Sequence, residues 1–195
     1  MFVYEKKLQY PVRIANPNPK LAAVIISQYG GADGELGASL RYLSQRYAMP
    51  YAELKGLLTD IGTEELGHLE MIGAIVHQLT RNLSEKDIKT AGFDAYFVDH
   101  TTGVYPTAAS GFPWSAASMA VKGDVIADLT EDLAADAASR KNSFLKIPVY
   151  LDGIASGSRN TSANNDVIDQ CIDHLAGKML WVDVLFDQFP AINAH

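Results

Sequence analysis

Glu65-Leu66-Gly67-His68 sets a carboxylate and an imidazole three residues apart, a spacing that puts both on one face of a helix. Around them Leu54, Leu57, Leu58, Ile61, Ile72, Ile75, Val76 and Leu79 recur with a helical period. Followed by helical steps, that apolar stripe passes through Glu65 and His68, so both polar side chains are expected to point into the core. An ionised carboxylate in a core is costly unless it is paired or bound to a metal. Glu64 and Glu70 fall off the stripe and are expected on the solvated side.

Two more carboxylates fit the same pattern. Glu35 lies seven residues before Tyr42 and seven after Gln28, on the side that carries Leu21 and Ile25. Asp136 lies seven residues after Leu129 and four before Arg140. Two-metal carboxylate sites in four-helix bundles take one Glu from each of two helices and a Glu-x-x-His from each of the other two. Oxygen and nitrogen ligands with open positions suit manganese, with iron as the alternative; all-oxygen calcium sites and thiolate zinc sites fit less well. At Asp136 the template is met with Asp in place of Glu, shorter by about 1.5 Å of chain. Asp132, Asp136 and Arg140, at four-residue spacing, also fit an exposed ion-pair ladder.

The last predicted helix contains no Glu. It offers Cys171, His174, Lys178 and Trp181 on one stripe. With Cys171 and His174 level with the metals, His174 is a candidate ligand beside an unusual thiolate. With Lys178 and Trp181 level, a fixed ammonium faces three carboxylates and could stand in for one metal cation.

These side chains need elements to hold them. Residues 1–17 show strand-like alternation and then NPNP, which predicts an extended N-terminal arm ending near Pro19. A first helix is expected over 20–47, interrupted by Gly30 and Gly31, each costing about 1 kcal/mol in a helix interior. A second is expected over 51–79, and a third over 115–144. Between them, Gly92, Gly103, Pro106, Gly111 and Pro113 break any long element, as a long crossover would. A Ser/Asn-rich stretch to Asn165 precedes a fourth helix over 166–189, stopped by Pro190. Four long helices with one long crossover predict an all-α, ferritin-like four-helix bundle, a single domain over 1–195.

Composition narrows the function classes. The chain has 195 residues, 48% hydrophobic and 20% charged, the balance of a soluble domain with a substantial core. A net charge of -7 argues against nucleic acid and gives no reason to expect anionic membranes. No apolar run approaches the roughly 20 residues that cross a bilayer. The start, MFVYEKKLQYPVR, lacks the apolar core of a signal peptide. A single cysteine, Cys171, rules out an intramolecular disulfide framework and suits a reducing compartment. The cytoplasm is the expected location.

The stretches YEKKLQYPVR, QYGGADGELGASLRYLSQRY, LLTDIGTEELGHLEMIG, YFVDHTTGVYP and GDVIADLTEDLAADAASR resemble the manganese catalases, especially the short spore-coat proteins of that family. The resemblance runs from residue 1 to about residue 140 and includes loops as well as helices. It implies a dinuclear manganese site that dismutates hydrogen peroxide to water and oxygen, in a homo-oligomer that is usually a hexamer. It also implies Glu35, Glu65 and His68 as ligands, Tyr42 as a tyrosine beside them, and Asp136 where family members carry a ligand Glu. Read on without gaps, Lys178 and Trp181 occupy the positions of the family's last Glu-x-x-His; a shift of two turns brings His174 there instead. Two functions follow from the resemblance. One is an active manganese catalase. The other is an impaired one-metal or metal-free structural homologue, for example a spore-coat or shell component.

Overall fold

Asn18 and Pro19 start the first helix, α1 (Pro19–Gly30), by complementary means. The Asn18 side chain accepts a hydrogen bond from the Leu21 amide at 3.1 Å, and Pro19 lacks the N–H that a first-turn position leaves unpaired. The computed structural model describes residues 7–8, 12–92, 103–132 and 134–135. Within these, α1 is followed by α2 (Glu35–Gln45), a 3-10 turn at Arg46–Ala48, α3 (Ala52–Thr80), α4 (Glu85–Thr90) and a 3-10 turn at Ala116–Ser118. A further helical run, α5, covers 125–132 and 134–135. The described residues contain no strand; an isolated bridge pairs Thr107 with Pro113. No described helix is long and apolar enough to cross a membrane.

The 29 residues of α3 make a rod about 44 Å long, and it serves two separate apolar cores. Leu54 and Leu58, near its start, pack with Ala38 and Tyr42 of α2, Met49 and Leu129 of α5. Met71, Ile72, Ile75, Val76 and Leu79, in its second half, pack with Leu21, Ala22, Ile25 and Ile26 of α1. Val12 and Ile14 of the arm and Ile88 of α4 complete that second core. Gln78 fixes the arm from both ends of its amide, accepting from the Ile14 amide at 2.7 Å and donating to the Val12 carbonyl at 2.9 Å.

The helix expected over 20–47 is two helices. Gly31 turns extended, and its amide bonds back to the Ser27 carbonyl at 2.9 Å. At Gly30 a Cβ would lie 2.2 Å from the backbone of Pro106 and Thr107, so the chain at 106–107 crosses directly over the end of α1. The Ala109 amide seals the crossing by donating to Ser27 Oγ at 2.6 Å. Glu35 therefore opens a new helix, where its charge meets the positive end of the helix dipole.

The helix expected from Ser115 begins ten residues later, at 125. Gly123 takes a left-handed φ of 76°, which a continuing helix does not allow. Asp124 caps α5, its Oδ1 accepting from the Ala127 amide at 2.8 Å. Asp128 reaches back to accept from the amides of Lys122 (2.7 Å) and Gly123 (3.1 Å), holding the turn that precedes the helix. Gln45 Nε2 donates to the Ala120 carbonyl at 3.0 Å, which ties the end of α2 to the same turn.

Two glycine substitutions test this packing. Gly30→Ala should lower stability by about 1–3 kcal/mol or more, because backbone rather than a flexible side chain occupies the space. Gly56→Ala, where nothing lies within 4 Å, should raise it by about 0.5–1 kcal/mol. Urea unfolding measures both, and an unchanged midpoint for Gly30→Ala would contradict the crossing.

Candidate metal centre

Glu65 and His68 leave α3 between its two apolar cores, and Glu35 meets them from the first turn of α2. All three are buried, with 3%, 2% and 3% exposure for Glu65, His68 and Glu35 respectively. His68 Nδ1 is 2.6 Å from Glu65 Oε2 and 3.8 Å from Glu35 Oε2. One ligand atom from each of the three lies within 4.8 Å of the others.

The approach of α2 to α3 is set one turn before Glu65. A Cβ at Gly62 would lie 2.8 Å from Leu43 Cγ and 3.2 Å from Tyr42 Cβ, so a bare backbone there lets the helices close. Ser39 Oγ donates to the Gly62 carbonyl at 2.6 Å and holds the contact. Glu35, Ser39 and Tyr42 follow one another at four and three residues on α2, one inward face. Tyr42 is 1% exposed and belongs to the core just beyond the cluster.

Burial and, after it, the Glu35 carboxylate raise Glu65, the hydrogen bond to His68 opposes them, and together they leave it at about 8. For His68, burial alone would lower the value, but hydrogen bonds and attraction from Glu35 and Glu65 outweigh it and hold the imidazole up to about 10. The metal-free cluster thus keeps protons that the same groups would lose in water. A cation can take their place, since carboxylate and imidazole ligands must be deprotonated to bind one.

The spacing fits such a cation. Neighbouring ligands of an octahedral ion with bonds of about 2.1 Å lie roughly 3 Å apart. The 2.6 and 3.8 Å separations bracket that value, so small side-chain adjustments would complete the geometry. Two carboxylates and one imidazole are hard and borderline donors, which suit manganese or iron.

Of the residues singled out from the sequence, Glu35, Glu65 and His68 come together, while Tyr42 is buried in the apolar core that α2 shares with the start of α3. Asp136, Arg140, Cys171, His174, Lys178 and Trp181 lie outside the described residues. Asp132 does not fit an exposed ion-pair ladder, because it is buried on α5 together with Asp128. The anchoring of the 120–123 turn by Gln45 and Asp128 is not apparent from the sequence. The start of α5 does carry a sequence signal in Asp124, a favoured helix N-cap residue.

The family model for manganese-containing catalase matches residues 1–147. The chain belongs to that family. Protein CotJC from Bacillus subtilis is 51% identical over 140 residues, covering 72% of this chain and 74% of CotJC. A probable manganese catalase from Clostridium acetobutylicum is 35% identical over 138 residues, covering 70% of this chain. The aligned part is 61% of that relative, so the chain spans less than two thirds of its length. The crystal structure of KatB, a manganese catalase from Anabaena, superposes with a TM-score of 0.79 at 26% identity, over 97% of this chain and 81% of KatB. The fold is thus the all-α, ferritin-like fold of the manganese catalases.

The titrations give a signed expectation. Glu65 and His68 both titrate higher in the folded protein, near 8 and 10 against ordinary values of 4.5 and 6.5. The metal-free folded state therefore binds more protons than the unfolded chain between those limits, and the cluster's contribution to stability should fall as pH rises from about 4.5 to 10. Added manganese should do the opposite, stabilising more at pH 8 than at pH 6. Melting curves of parent and Glu65→Gln protein across that range provide the check; identical pH slopes in the two would count against a protonated cluster.

Proposed function

We propose that the chain holds manganese on Glu35, Glu65 and His68 between α2 and α3 and dismutates hydrogen peroxide, two molecules giving two of water and one of oxygen. The observation that carries this reading is the buried cluster itself. Two carboxylates and an imidazole within 4.8 Å, at an apolar junction, are tolerable only when protons or a cation compensate them. Membership of the manganese-containing catalase family supports the choice of manganese over iron.

Bound manganese would supply the change of oxidation state that peroxide dismutation requires. The chain's own contribution is to hold, orient and dry the site. Glu65 and His68 are kept in register by one turn of α3, and Glu35 approaches from a different helix, so the three donors close on a common point. Their burial keeps bulk water from competing for the cation. Tyr42 lies in the apolar core that α2 shares with Leu54 and Leu58 of α3. Protons displaced from Glu65 and His68 on metal entry leave the cluster, which makes loading stronger at higher pH.

A second manganese would need Asp136 and a ligand from the C-terminal region, with His174 the candidate there. A hexamer completes this reading by resemblance, and a cytoplasmic location by the single cysteine, Cys171, which suits a reducing compartment.

A specific observation favours a second reading. The family match stops at residue 147, and the remaining sequence holds Lys178 and Trp181 where the resemblance calls for a Glu and a His. A lysine in that place would neutralise part of the carboxylate charge without coordinating peroxide. In this form the protein keeps one metal or none and serves as a structural component, for example of a spore coat.

Purified metal-free protein loaded with manganese tests both readings through metal content and oxygen release from peroxide. The catalase reading expects two manganese per chain and oxygen release well above free manganese, both lost in Glu65→Gln and His68→Asn. One manganese without oxygen release supports the second reading, and Lys178→Glu combined with Trp181→His should then raise the metal content. Protein that takes up no manganese at any pH ends the metal-binding proposal.

A further inference from the structure

Arg41 is the least exposed cation in the described part of the molecule, with 1% of its surface accessible. A buried guanidinium is costly unless its charge and donors are answered. Its Nη2 reaches the Asp33 carboxylate at 3.4 Å and the Ala32 carbonyl at 3.5 Å. Nε and Nη1 have no hydrogen-bond partner among the described residues. Asp33, half-exposed, is the counter-ion that the structure gives to this charge.

Ala32 and Asp33 belong to the turn between α1 and α2, immediately before Glu35. That turn is folded back along α2 at two points. The Ala32 carbonyl lies 2.7 Å from where a Cβ would stand on Gly37, so a bare backbone at Gly37 admits it. One helical turn further on, Arg41 takes hold of the same carbonyl and of the neighbouring carboxylate. The Gly34 amide closes the turn internally on the Gly31 carbonyl at 3.1 Å. Glu35 has a flexible side chain and stands at the first position of its helix, where ends fray. It has no helical turn before it to fix its direction, as Glu65 has within α3.

We infer that Arg41 is a positioning residue for the metal centre: it clamps the 31–34 turn onto α2 and thereby fixes where Glu35 presents its carboxylate to Glu65 and His68. The inference rests on the proposed manganese site and names a residue outside it. The contacts at 3.4 and 3.5 Å are long for directed hydrogen bonds, so charge and burial rather than one sharp bond supply the hold. A planar guanidinium can face a carbonyl and a carboxylate together, which an ammonium on a shorter stem does less well.

The test is manganese binding to metal-free full-length protein, followed by calorimetry and by the electron paramagnetic resonance spectrum of the bound ion. Arg41→Met should weaken binding about 10- to 100-fold, the range for residues that orient a ligand, and should change the spectrum. Arg41→Lys should recover part of the loss. Asp33→Asn should weaken binding in the same direction by less. If Arg41 acts through Glu35, adding Arg41→Met to a Glu35→Gln protein should remove little more; a purely structural role would make the losses multiply. Should Arg41→Met fail to fold, Asp33→Asn, on a half-exposed side chain, carries the test. Parent-like affinity and spectrum in Asp33→Asn and in any folded Arg41→Met protein overturn the clamp alone, as do multiplying losses. Parent protein that binds no manganese overturns the metal site and the clamp with it.

Discussion

Two carboxylates and an imidazole share a space that solvent does not reach, and the rest of the described structure is arranged around that fact. The apolar side chains of α3 divide into two groups, one facing α2 and α5 and the other facing α1 and the arm. Glu65 and His68 fall in the interval between the groups. Helix break, close helix approach and arginine clamp all converge on the same level of the molecule. Removing the charge there would leave an ordinary helical packing; keeping it requires something positive, whether shared protons or an ion.

Much of this was legible from residue order, and the reason lies in α3. Its long regular period made the inward direction of Glu65 and His68 deducible from spacing alone, and the observed limits, Ala52–Thr80, differ little from the expected 51–79. Glu35 was found by a less secure route. Its partner Tyr42 does share its helix, but Gln28 sits on α1, across a turn that the glycines at 30, 31 and 34 permit. The inward direction of Glu35 comes from the docking of a new helix and not from a period running through 28, 35 and 42. The early start expected for the third helix has a similar cause. Ala116, Ala117, Met119, Ala120 and Val121 have helical composition, yet the long-range bond from Gln45 to the Ala120 carbonyl, with the local bonds from the Lys122 and Gly123 amides to Asp128, holds that stretch as a turn. Contacts between residues 75 or more apart leave no mark in local spacing. Arg41 illustrates the limit from the other side, since nothing in its neighbours says that it is buried.

The likeness to relatives follows the same division. Everything that builds the described site lies within the matched residues 1–147, and the likeness to CotJC extends over 140 residues. In the proposed reading a second metal position would draw on Asp136, inside the match, and on the remainder, where the sequence carries Lys178 and Trp181. The described part of the chain therefore holds three candidate ligands, Glu35, Glu65 and His68, in one buried cluster. Such a cluster has to be compensated by protons or by a cation.

A single continuous rod that touches both cores also sets what kinds of change the chain can absorb. One residue inserted into α3 would rotate everything beyond it by about 100°, turning one hydrophobic group out of contact while the other stayed in place. The same insertion in the connection at 81–84 would only lengthen a loop. Along α3, residue identity is negotiable at many positions, but residue count is fixed.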